Sequence, residues 1–425
     1  MGIKHFYIYF QKHYSSCIEK DTTKIKDNKI HNLCIDMNGI IHTCAQKVYE
    51  YGDTKPRFLK KKNKIRNTLK KQLELFQTIC DNIESLRELV QPSRRIILCI
   101  DGVAGVAKLA QQRQRRFKSA KDASDSGEID PSKFNPNCIT AGTKFMSFLS
   151  KYIDWYIRMK KTTDEEWKRL EIVFSNEKSK GEGEHKIINF IRNFGDDCES
   201  FCIHGLDADL IMLSTSLNNN NIFVLRENQY PPETHLVNIA LFKDKIKDIM
   251  KWEREEGDKS FRGPQAITDF VLMCFLVGND FLPMIPGLAI LEGGIDAMLD
   301  IYKDVCKKFG HLTKNTKNIG DMINKKSLQI FIGTLASYEK GFIEEKISKK
   351  DNFMEDLLLQ KHTKYEEGKP IVDINSYKKE YYTKKLIGEE NRREVCLHYI
   401  SGLNWVINYY KIGIPSWNWY YPFFY

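Results

Sequence analysis

Residues 94–101 read RRIILCID, an apolar run of strand length that ends on an aspartate. Four other runs have the same texture: HNLCID (31–36), EIVFSN (171–176), SFCIHG (200–205) and NIFVLRE (221–227). Continuous apolar runs bounded by turn or polar residues are typical of strands buried on both faces of a parallel sheet. Helical periodicity fills the longer intervals between them. This alternation predicts an α/β fold, with a mostly parallel, doubly wound sheet flanked by helices.

The composition is that of a globular chain, with 42% hydrophobic and 29% charged residues among 425. No apolar run approaches the ~20 residues of a membrane span, and the N-terminus lacks a signal-peptide core, so we expect no membrane association. Eleven cysteines without a C-x-x-C pair argue against a zinc or disulfide framework and favour a reducing, intracellular compartment. The formal net charge of +10 favours a polyanionic partner, although many lysine-rich surfaces are merely solvated.

Carboxylates follow the ends of four predicted strands. Since functional groups gather at the carboxyl ends of strands in such sheets, six of these acids are expected at one sheet edge, and a seventh ends the apolar helix ITDFVLMCFLVGND. Clustered carboxylates need cations to stay ionised, and hard oxygen ligands suit two Mg²⁺ or Mn²⁺ ions that hydrolyse a phosphodiester. The alternative for any single acid is a helix cap or a turn residue. The seven acids are Asp36, Asp101, Glu182, Glu184, Asp207, Asp209 and Asp280.

A basic helix is predicted directly after Asp101. Lys108, Gln112, Arg115 and Arg116 have the spacing of one helix face, which should lie beside the acids. An ammonium and guanidinium groups placed together suit a terminal phosphate, which carries more charge than an internal phosphodiester. The alternative is a solvated basic face. A 5′-phosphate pocket beside two metal ions would make the protein an exonuclease.

Several motifs resemble those of the Xrn family of 5′→3′ exoribonucleases and occur in that family's order. They are IDMNGIIH (35–42), IDGVAGVAKLAQQRQRRFKSA (100–120), ITAGTKFM (139–146), GEGEHKI (181–187), HGLDADLIML (204–213) and GNDFLPMIP (278–286). The resemblance continues through residues 327–340 and 402–423 and so covers nearly the whole chain. Ala141 replaces the usual proline of the ITPGT motif, and the YYPFFY tail departs from the family pattern.

The resemblance implies a core like that of PIN and flap nucleases, with the seven acids as metal ligands. It implies that Lys108, Gln112, Arg115 and Arg116 form the 5′-phosphate pocket, and that His42 stacks on a base opposite Trp417 or Trp419. A core histidine and core tryptophans are the alternatives. The implied substrate is single-stranded RNA with a 5′-monophosphate. The protein would degrade it in RNA or mRNA decay, with a decapping or RNA-processing partner whose identity is unknown.

Three regions are expected: a nuclease core at 1–305, a helical region at 306–385 with a polar linker, and an aromatic segment at 386–425 that completes the active-site rim. The linker is placed at 347–372. The resemblance implies a compact family member without additional C-terminal domains. An intracellular protein is expected, in the cytoplasm rather than the nucleus. The basic stretch 59–71 is either a nuclear signal or a solvated helix face.

Two rival functions remain open. A structure-specific flap or DNA endonuclease would share the acid-tipped sheet, but GNDFLPMIPGLAI lacks the Gly-x-Gly turn of the duplex-gripping hairpin. An inactive RNA-binding protein would have lost one or more acids, and all seven are present.

Overall fold

The computed structural model describes residues 2–3, 5–51, 68–125, 132–229, 232–316, 319–348 and 356–423. Most of the basic stretch 59–71 lies outside these residues. The chain forms two compact units. The sheet unit is Ser16–Leu241, and the helical unit is Met1–Ser15 together with Phe242–Tyr425. The three regions predicted from the sequence (1–305, 306–385 and 386–425) are divided by sequence texture and expected function. Their boundaries stay a prediction. Across the described residues, no helix is both long and apolar enough to cross a membrane.

Strands and helices alternate in the sheet unit, as the sequence predicts. Its strands are β1 (Ile18–Glu19), β2 (Asn32–Asp36), β3 (Arg95–Cys99), β4 (Glu171–Ser175), β5 (Phe201–His204), β6 (Ile222–Gln229) and β7 (Pro232–Asn238). Its helices are α2 (Met37–Tyr49), α3 (Leu69–Val90), α4 (Val106–Asp125), α5 (Lys144–Thr163), α6 (Glu165–Arg169), α7 (Gly183–Phe194) and α8 (Asp209–Ser216).

The seven strands form one sheet in the order β1-β7-β6-β5-β2-β3-β4. The five strands from β6 to β4 in this order run parallel, whereas β7 pairs antiparallel with β6 and with β1. All five predicted strands and the mostly parallel α/β fold are therefore confirmed. The sequence did not indicate β1 or β7, because β1 has two residues and β7 is a polar strand that begins at Pro232.

The order of the strands reverses between β2 and β5. From β2 the chain builds outward through β3 to β4, and it then returns to β5 on the other side of β2. In parallel sheets, ligands bind beyond the carboxyl ends of the strands at such a switch point. Asp36, the last residue of β2, stands at this point.

Both faces of the central strands are buried, which explains their continuous apolar sequence. Every residue of β2 and β3 is buried. On one face, alternate residues such as Leu33, Ile35 and Leu98 pack with α2, α3 and α5. On the other face, α7 contacts β2 and β3 and buries Ile187, Ile188 and Ile191. The sheet is thereby fixed rigidly beneath the loops at its carboxyl edge.

The helical unit begins with α1 (Phe6–His13), and α9 (Ile239–Met250) leads into its main part. The elements that follow are α10 (Gly263–Leu276), α11 (Gly294–Phe309), α12 (Lys325–Ser337), α13 (Glu339–Ser348), α14 (Leu357–Lys361), β8 (Thr363–Glu366), β9 (Lys369–Val372), α15 (Ile374–Lys385) and α16 (Arg392–Lys411).

Residues 356–372, within the stretch expected to be a linker, instead form α14 and the antiparallel hairpin β8–β9. Leu359 and Val372 are buried with Ile343, Ile347 and Tyr377 in a small apolar cluster. These few apolar side chains order an otherwise polar stretch, and the sequence texture hid them. The rest of the expected linker, 349–355, lies outside the described residues.

The aromatic C-terminal segment packs within the helical unit, as expected from its composition. Trp405, Tyr409 and Tyr410 of α16 are buried, and the Trp419 ring stacks on Trp405 with 4.7 Å between centroids. The indole N–H of Trp405 also donates to the carbonyl oxygen of Ser416 at 3.0 Å. The segment is therefore part of an ordered core.

Candidate active site

The loops at the carboxyl edge of the sheet bring two predicted acids to the switch point. Asp36 ends β2 and caps α2, where its Oδ1 accepts a hydrogen bond from the Asn38 N–H at 3.4 Å. Asp101 lies two residues beyond β3, and its backbone N–H donates to Asn38 Oδ1 at 3.0 Å. Asn38 thus links the two strand ends, because its backbone N–H binds Asp36 and its side-chain oxygen binds Asp101.

The start of α7 carries the next two acids. Glu182 is the N-cap residue and Glu184 lies in the first turn, so the pair straddles the helix start. The preceding loop is joined to the end of β3, because the Gly102 N–H donates to the Gly181 carbonyl at 2.8 Å and the Gly181 N–H donates to the Val103 carbonyl at 2.9 Å. The helix start is thereby fixed against the loop that holds Asp101.

Gly183 makes room for this arrangement. Its backbone N–H donates to Asp101 Oδ1 at 2.6 Å. A Cβ atom at this position would lie 2.6 Å from Asp36 Oδ1 and 2.9 Å from the Cys99 carbonyl oxygen. Only glycine therefore lets α7 begin between the two aspartates.

The sheet unit brings six of the seven predicted acids into mutual electrostatic contact. We call Asp36, Asp101, Glu182, Glu184, Asp207 and Asp209 the acid cluster. Burial, then the charges of Asp101 and Asp207, raises the pKa of Asp36 well above its ordinary value. Burial, then Glu182, raises the pKa of Asp101 to about 6, and burial, then Asp209 and Glu182, raises the pKa of Glu184 strongly. Carboxylates forced together in this way favour a bound proton or a bound cation.

The donors of the cluster fit a divalent cation. Ligand atoms of Glu182, Glu184 and His185 lie within 4.8 Å of one another, and all three side chains are buried. Glu184 Oε2 is buried and has no hydrogen-bond partner among the described residues. Burial, then the charges of Lys108 and Arg192, holds the pKa of His185 well below its ordinary value, which keeps its imidazole neutral. A neutral imidazole and carboxylates are both metal ligands, and oxygen donors suit Mg²⁺.

His185 is not among the site residues predicted from the sequence. The motif GEGEHKI contains it, and its position three residues after Glu182 places both on one side of the helix start. Because lone histidines are common in cores, only the geometry of the neighbouring glutamates distinguishes it.

Lys186 is a second residue that sequence reasoning missed. Its Nζ donates to the carbonyl oxygens of Ile100 and Asn176, each at 2.8 Å, and so joins the loops after β3 and β4. Its charge lowers the pKa of Asp101. A lysine in the first turn of a helix is ordinarily solvated, so the sequence carried no signal for this role.

The basic helix lies beside the acids, as predicted. It is α4, and Lys108 Nζ lies 2.6 Å from Glu182 Oε2. Gln112 Oε1 accepts a hydrogen bond from Arg116 at 3.2 Å. The side chain of His42 is solvent-exposed, yet desolvation by the surrounding protein, then the charge of Arg115, lowers its pKa. Lys108, Gln112, Arg116, Arg115 and His42 therefore line the same end of the sheet unit.

Three predicted site residues belong to the helical unit. Asp280 follows α10, and its Oδ1 accepts a hydrogen bond from the Gly2 N–H at 3.1 Å. Trp419 stacks on Trp405, and Trp417 is half-buried. The part that each plays at a site stays a prediction.

Two family models match the chain. Residues 1–228 match the model described as "XRN 5'-3' exonuclease N-terminus", and residues 261–376 and 365–425 match the "Xrn1 helical domain". The division between the matches is close to that between the sheet unit and the larger part of the helical unit.

Curated relatives carry the same family name. The chain is 29% identical to the human "5'-3' exoribonuclease 1" over 504 aligned residues, which cover 100% of this chain and 28% of that protein. It is 33% identical to the Schizosaccharomyces pombe "5'-3' exoribonuclease 1", with 83% of this chain and 27% of that protein covered. For the Gallus gallus "5'-3' exoribonuclease 2" the identity is 26%, with 100% and 60% covered. The chain thus spans less than two thirds of the length of each.

Among solved structures, the catalytic core of Rad2 in complex with DNA substrate is 12% identical with a TM-score of 0.42, covering 99% of this chain and 91% of that one. The T5 D15 protein co-crystallized with metal ions is 11% identical with a TM-score of 0.34, covering 75% and 88%. The family models and the curated relatives agree with the motifs at the carboxyl edge of the sheet, and the chain belongs to the XRN 5′-3′ exonuclease family.

Proposed function

We propose that the chain is a 5′→3′ exoribonuclease that degrades single-stranded, 5′-monophosphorylated RNA to nucleoside 5′-monophosphates in RNA decay. The observation that carries the proposal is the 2.6 Å contact between Lys108 and Glu182, which brings the basic face of α4 against the acid cluster. Family membership and the names of the relatives support the direction of digestion and the choice of RNA.

The acid cluster and His185 would hold two Mg²⁺ or Mn²⁺ ions. Such ions lower the pKa of a bound water and stabilise the leaving oxygen of a phosphodiester. Glu182 and Glu184 provide carboxylate oxygens from the helix start, while Asp36 and Asp101 provide them from the strand ends. The proposal that Asp280 is a seventh ligand rests on the family motif GNDFLPMIP.

The chain's own residues would select and position the substrate. Lys108, Gln112, Arg115 and Arg116 would bind the 5′-phosphate through charge-assisted hydrogen bonds. His42 would stack on a leading base, with Trp417 or Trp419 as its proposed counterpart, an interaction that tolerates any sequence. A phosphate held on α4 beside the acid cluster places the first phosphodiester at the metal ligands, so that one nucleotide is removed before the strand advances.

The deciding experiment is a digestion of four single-stranded RNAs, identical except for a 5′-monophosphate, triphosphate, cap or hydroxyl. With Mg²⁺, mononucleotides should appear rapidly from the monophosphate RNA alone. Equal rates on all four ends would exclude 5′-phosphate recognition, and internal fragments would favour the structure-specific nuclease. Asp207→Asn should abolish digestion while RNA binding persists; a variant that still digests RNA would refute the metal assignment.

A further inference from the structure

We infer that Lys108 exchanges Glu182 for the RNA 5′-phosphate when Glu182 binds a divalent cation, so that cation and 5′-phosphate bind cooperatively. This inference rests on the proposed function and concerns the regulation of the same site. It predicts that the protein distinguishes phosphorylated from unphosphorylated 5′ ends mainly when the cation is bound.

Lys108 of α4 and Glu182 at the start of α7 form a shielded ion pair. Lys108 Nζ lies 2.6 Å from Glu182 Oε2, and the two side chains are only 11% and 5% exposed. Little solvent reaches this pair to screen it. A buried ion pair also resists the loss of one partner, because the remaining charge is then less compensated. Separation of Lys108 from Glu182 is therefore favoured when both charges gain other partners.

The acid cluster depends on the charge of Lys108. That charge lowers the pKa of Asp101 and the pKa of Glu184, in each case against the larger effect of burial. Lys108 thus acts as a counter-charge to the same carboxylates that would hold a cation. A phosphate that drew Lys108 away without a cation would leave these carboxylates less compensated.

A divalent cation would compete with Lys108 for Glu182. The ligand atoms of Glu182, Glu184 and His185 lie close enough together to share one ion. An ammonium that stayed on the same carboxylate would be repelled by the ion across a poorly screened distance. The ion compensates the acids and at the same time releases Lys108, whose helix face also presents Gln112 and Arg116.

Each ligand thereby removes the obstacle to the other. The cation makes Lys108 available to phosphate, and a phosphate that takes Lys108 makes Glu182 available to the cation. Because coupling between two binding equilibria is reciprocal, both affinities must change by the same factor. We expect a factor of about ten, within the range usual for such coupling.

The test measures how strongly the full chain prefers a 5′-phosphorylated single-stranded RNA over its 5′-hydroxyl counterpart. Fluorescence anisotropy gives both Kd values in EDTA and in Ca²⁺, with a gel to confirm that the RNA stays intact. The ratio of the hydroxyl Kd to the phosphate Kd should rise about tenfold on adding Ca²⁺. In calorimetry, the phosphorylated RNA should tighten Ca²⁺ binding by the same factor.

Three variants separate this exchange from a general effect of charge. Glu182→Gln weakens the ion pair and should give a high ratio already in EDTA. Lys108→Met should give a low ratio that Ca²⁺ does not raise. Asp36→Asn is the matched control, since it removes one charge of the acid cluster but leaves the Lys108–Glu182 contact; its ratio in EDTA should stay low. Thermal unfolding in EDTA verifies that each variant is folded.

The outcomes distinguish this inference from the proposed function. A ratio well above one that is equal in EDTA and Ca²⁺ would overturn the exchange while leaving the phosphate pocket intact. A ratio of one in both conditions would overturn the pocket and the exchange together. A ratio in EDTA that rises equally in Glu182→Gln and Asp36→Asn would show a general charge effect and would likewise overturn the exchange.

Discussion

The backbone N–H of Gly183 donates a 2.6 Å hydrogen bond to Asp101 Oδ1, so the start of α7 holds one carboxylate of the acid cluster directly. Asn38 Oδ1 holds the same residue from the other side through the Asp101 N–H at 3.0 Å. Asp101 is therefore positioned by the backbone of α7 and by a side chain of α2. The geometry of the cluster depends on how closely those elements approach each other.

Gly183→Ala should separate the start of α7 from α2. The new Cβ would lie 2.6 Å from Asp36 Oδ1 and 2.9 Å from the Cys99 carbonyl oxygen, which belongs to the backbone and cannot rotate away. We expect the rate of RNA digestion to fall about 100-fold or more, because a displacement near 1 Å at a reacting centre has that effect. Overpacking should also lower the free energy of unfolding by about 1–3 kcal/mol.

The matched control is Gly333→Ala in α12. A Cβ there meets no atom within 4 Å, and alanine has the higher helix propensity. Digestion should be unchanged and stability unchanged or slightly higher. Normal activity in Gly183→Ala would show that the close approach at α7 is not required.

Asp101→Asn should stabilise the protein in the absence of divalent cations, and more so as pH rises. Burial and Glu182 raise the pKa of Asp101 from 3.8 to about 6, so the folded protein holds this proton more tightly than the unfolded chain does. Stability that this proton provides is present below pH 4 and is lost as pH rises to 6 and above. Asparagine removes that loss and can keep the hydrogen bond from Gly183.

The measurement is the unfolding of the wild-type protein and Asp101→Asn in EDTA at pH 4, 5, 6 and 7.5. The variant should gain on the order of 1–3 kcal/mol relative to the wild-type protein between the ends of this range. Saturating Mg²⁺ should stabilise the wild-type protein more than the variant and reduce the difference. A variant that is less stable than the wild-type protein in EDTA at pH 7.5 would contradict the raised pKa of Asp101.

The sheet was predictable because both of its faces are buried, and that burial makes the strands apolar throughout. The five runs around Leu33, Ile97, Val173, Ile203 and Val224 all became parallel strands. The hairpin β8–β9 was not predictable, since its order depends on Leu359 and Val372 meeting partners elsewhere in the sequence. Such long-range contacts leave no local pattern.

In the candidate site, too, features with a local sequence pattern were predictable and features that depend on long-range contacts were not. The strand-end positions of Asp36 and Asp101 follow from the sheet, and the spacing of Lys108 and Arg116 follows from the helical period. The roles of Asn38 and Lys186 do not, because each depends on a hydrogen bond from its helix to a loop distant in the sequence. The Lys108–Glu182 pair was also hidden, since the sequence assigned its two members to different functions.

Arg116→Ala should weaken the preference for a 5′-monophosphate. Arg116 lies on the face of α4 that carries Lys108 and Gln112, and it donates to Gln112 Oε1 at 3.2 Å. Loss of one charge-assisted contact to the phosphate should lower kcat/KM on monophosphate RNA about 10- to 100-fold, with little change in the slow reaction of hydroxyl RNA.

Arg113→Ala is the control for this prediction, since Arg113 directly follows Gln112 on α4 and so lies about 100° around the helix from it. Arg113 is exposed and its guanidinium lies over the Phe117 ring, 5.5 Å from the centroid. Its loss removes the same charge but should leave the end preference intact. Equal losses in Arg113→Ala and Arg116→Ala, reduced further by added salt, would point to general attraction of RNA to a basic helix.

Asp269→Asn should destabilise the helical unit. The side chain is fully buried, and its two oxygens accept hydrogen bonds from Thr313 N–H and Oγ1, Leu312 N–H and Tyr302 OH, at 2.6–3.2 Å. The Arg262 N–H donates to His311 Nε2, which leaves the proton on Nδ1 to bond Asp269 at 2.7 Å.

An asparagine amide nitrogen must face at least one of these donors, at a cost on the order of 3 kcal/mol. Hydrogen exchange at Leu312 and Thr313 should then accelerate about 100-fold, whereas exposed Asp300→Asn on α11 should leave it unchanged. Equal exchange rates in both variants would mean that this network contributes nothing to the order of the 311–313 loop.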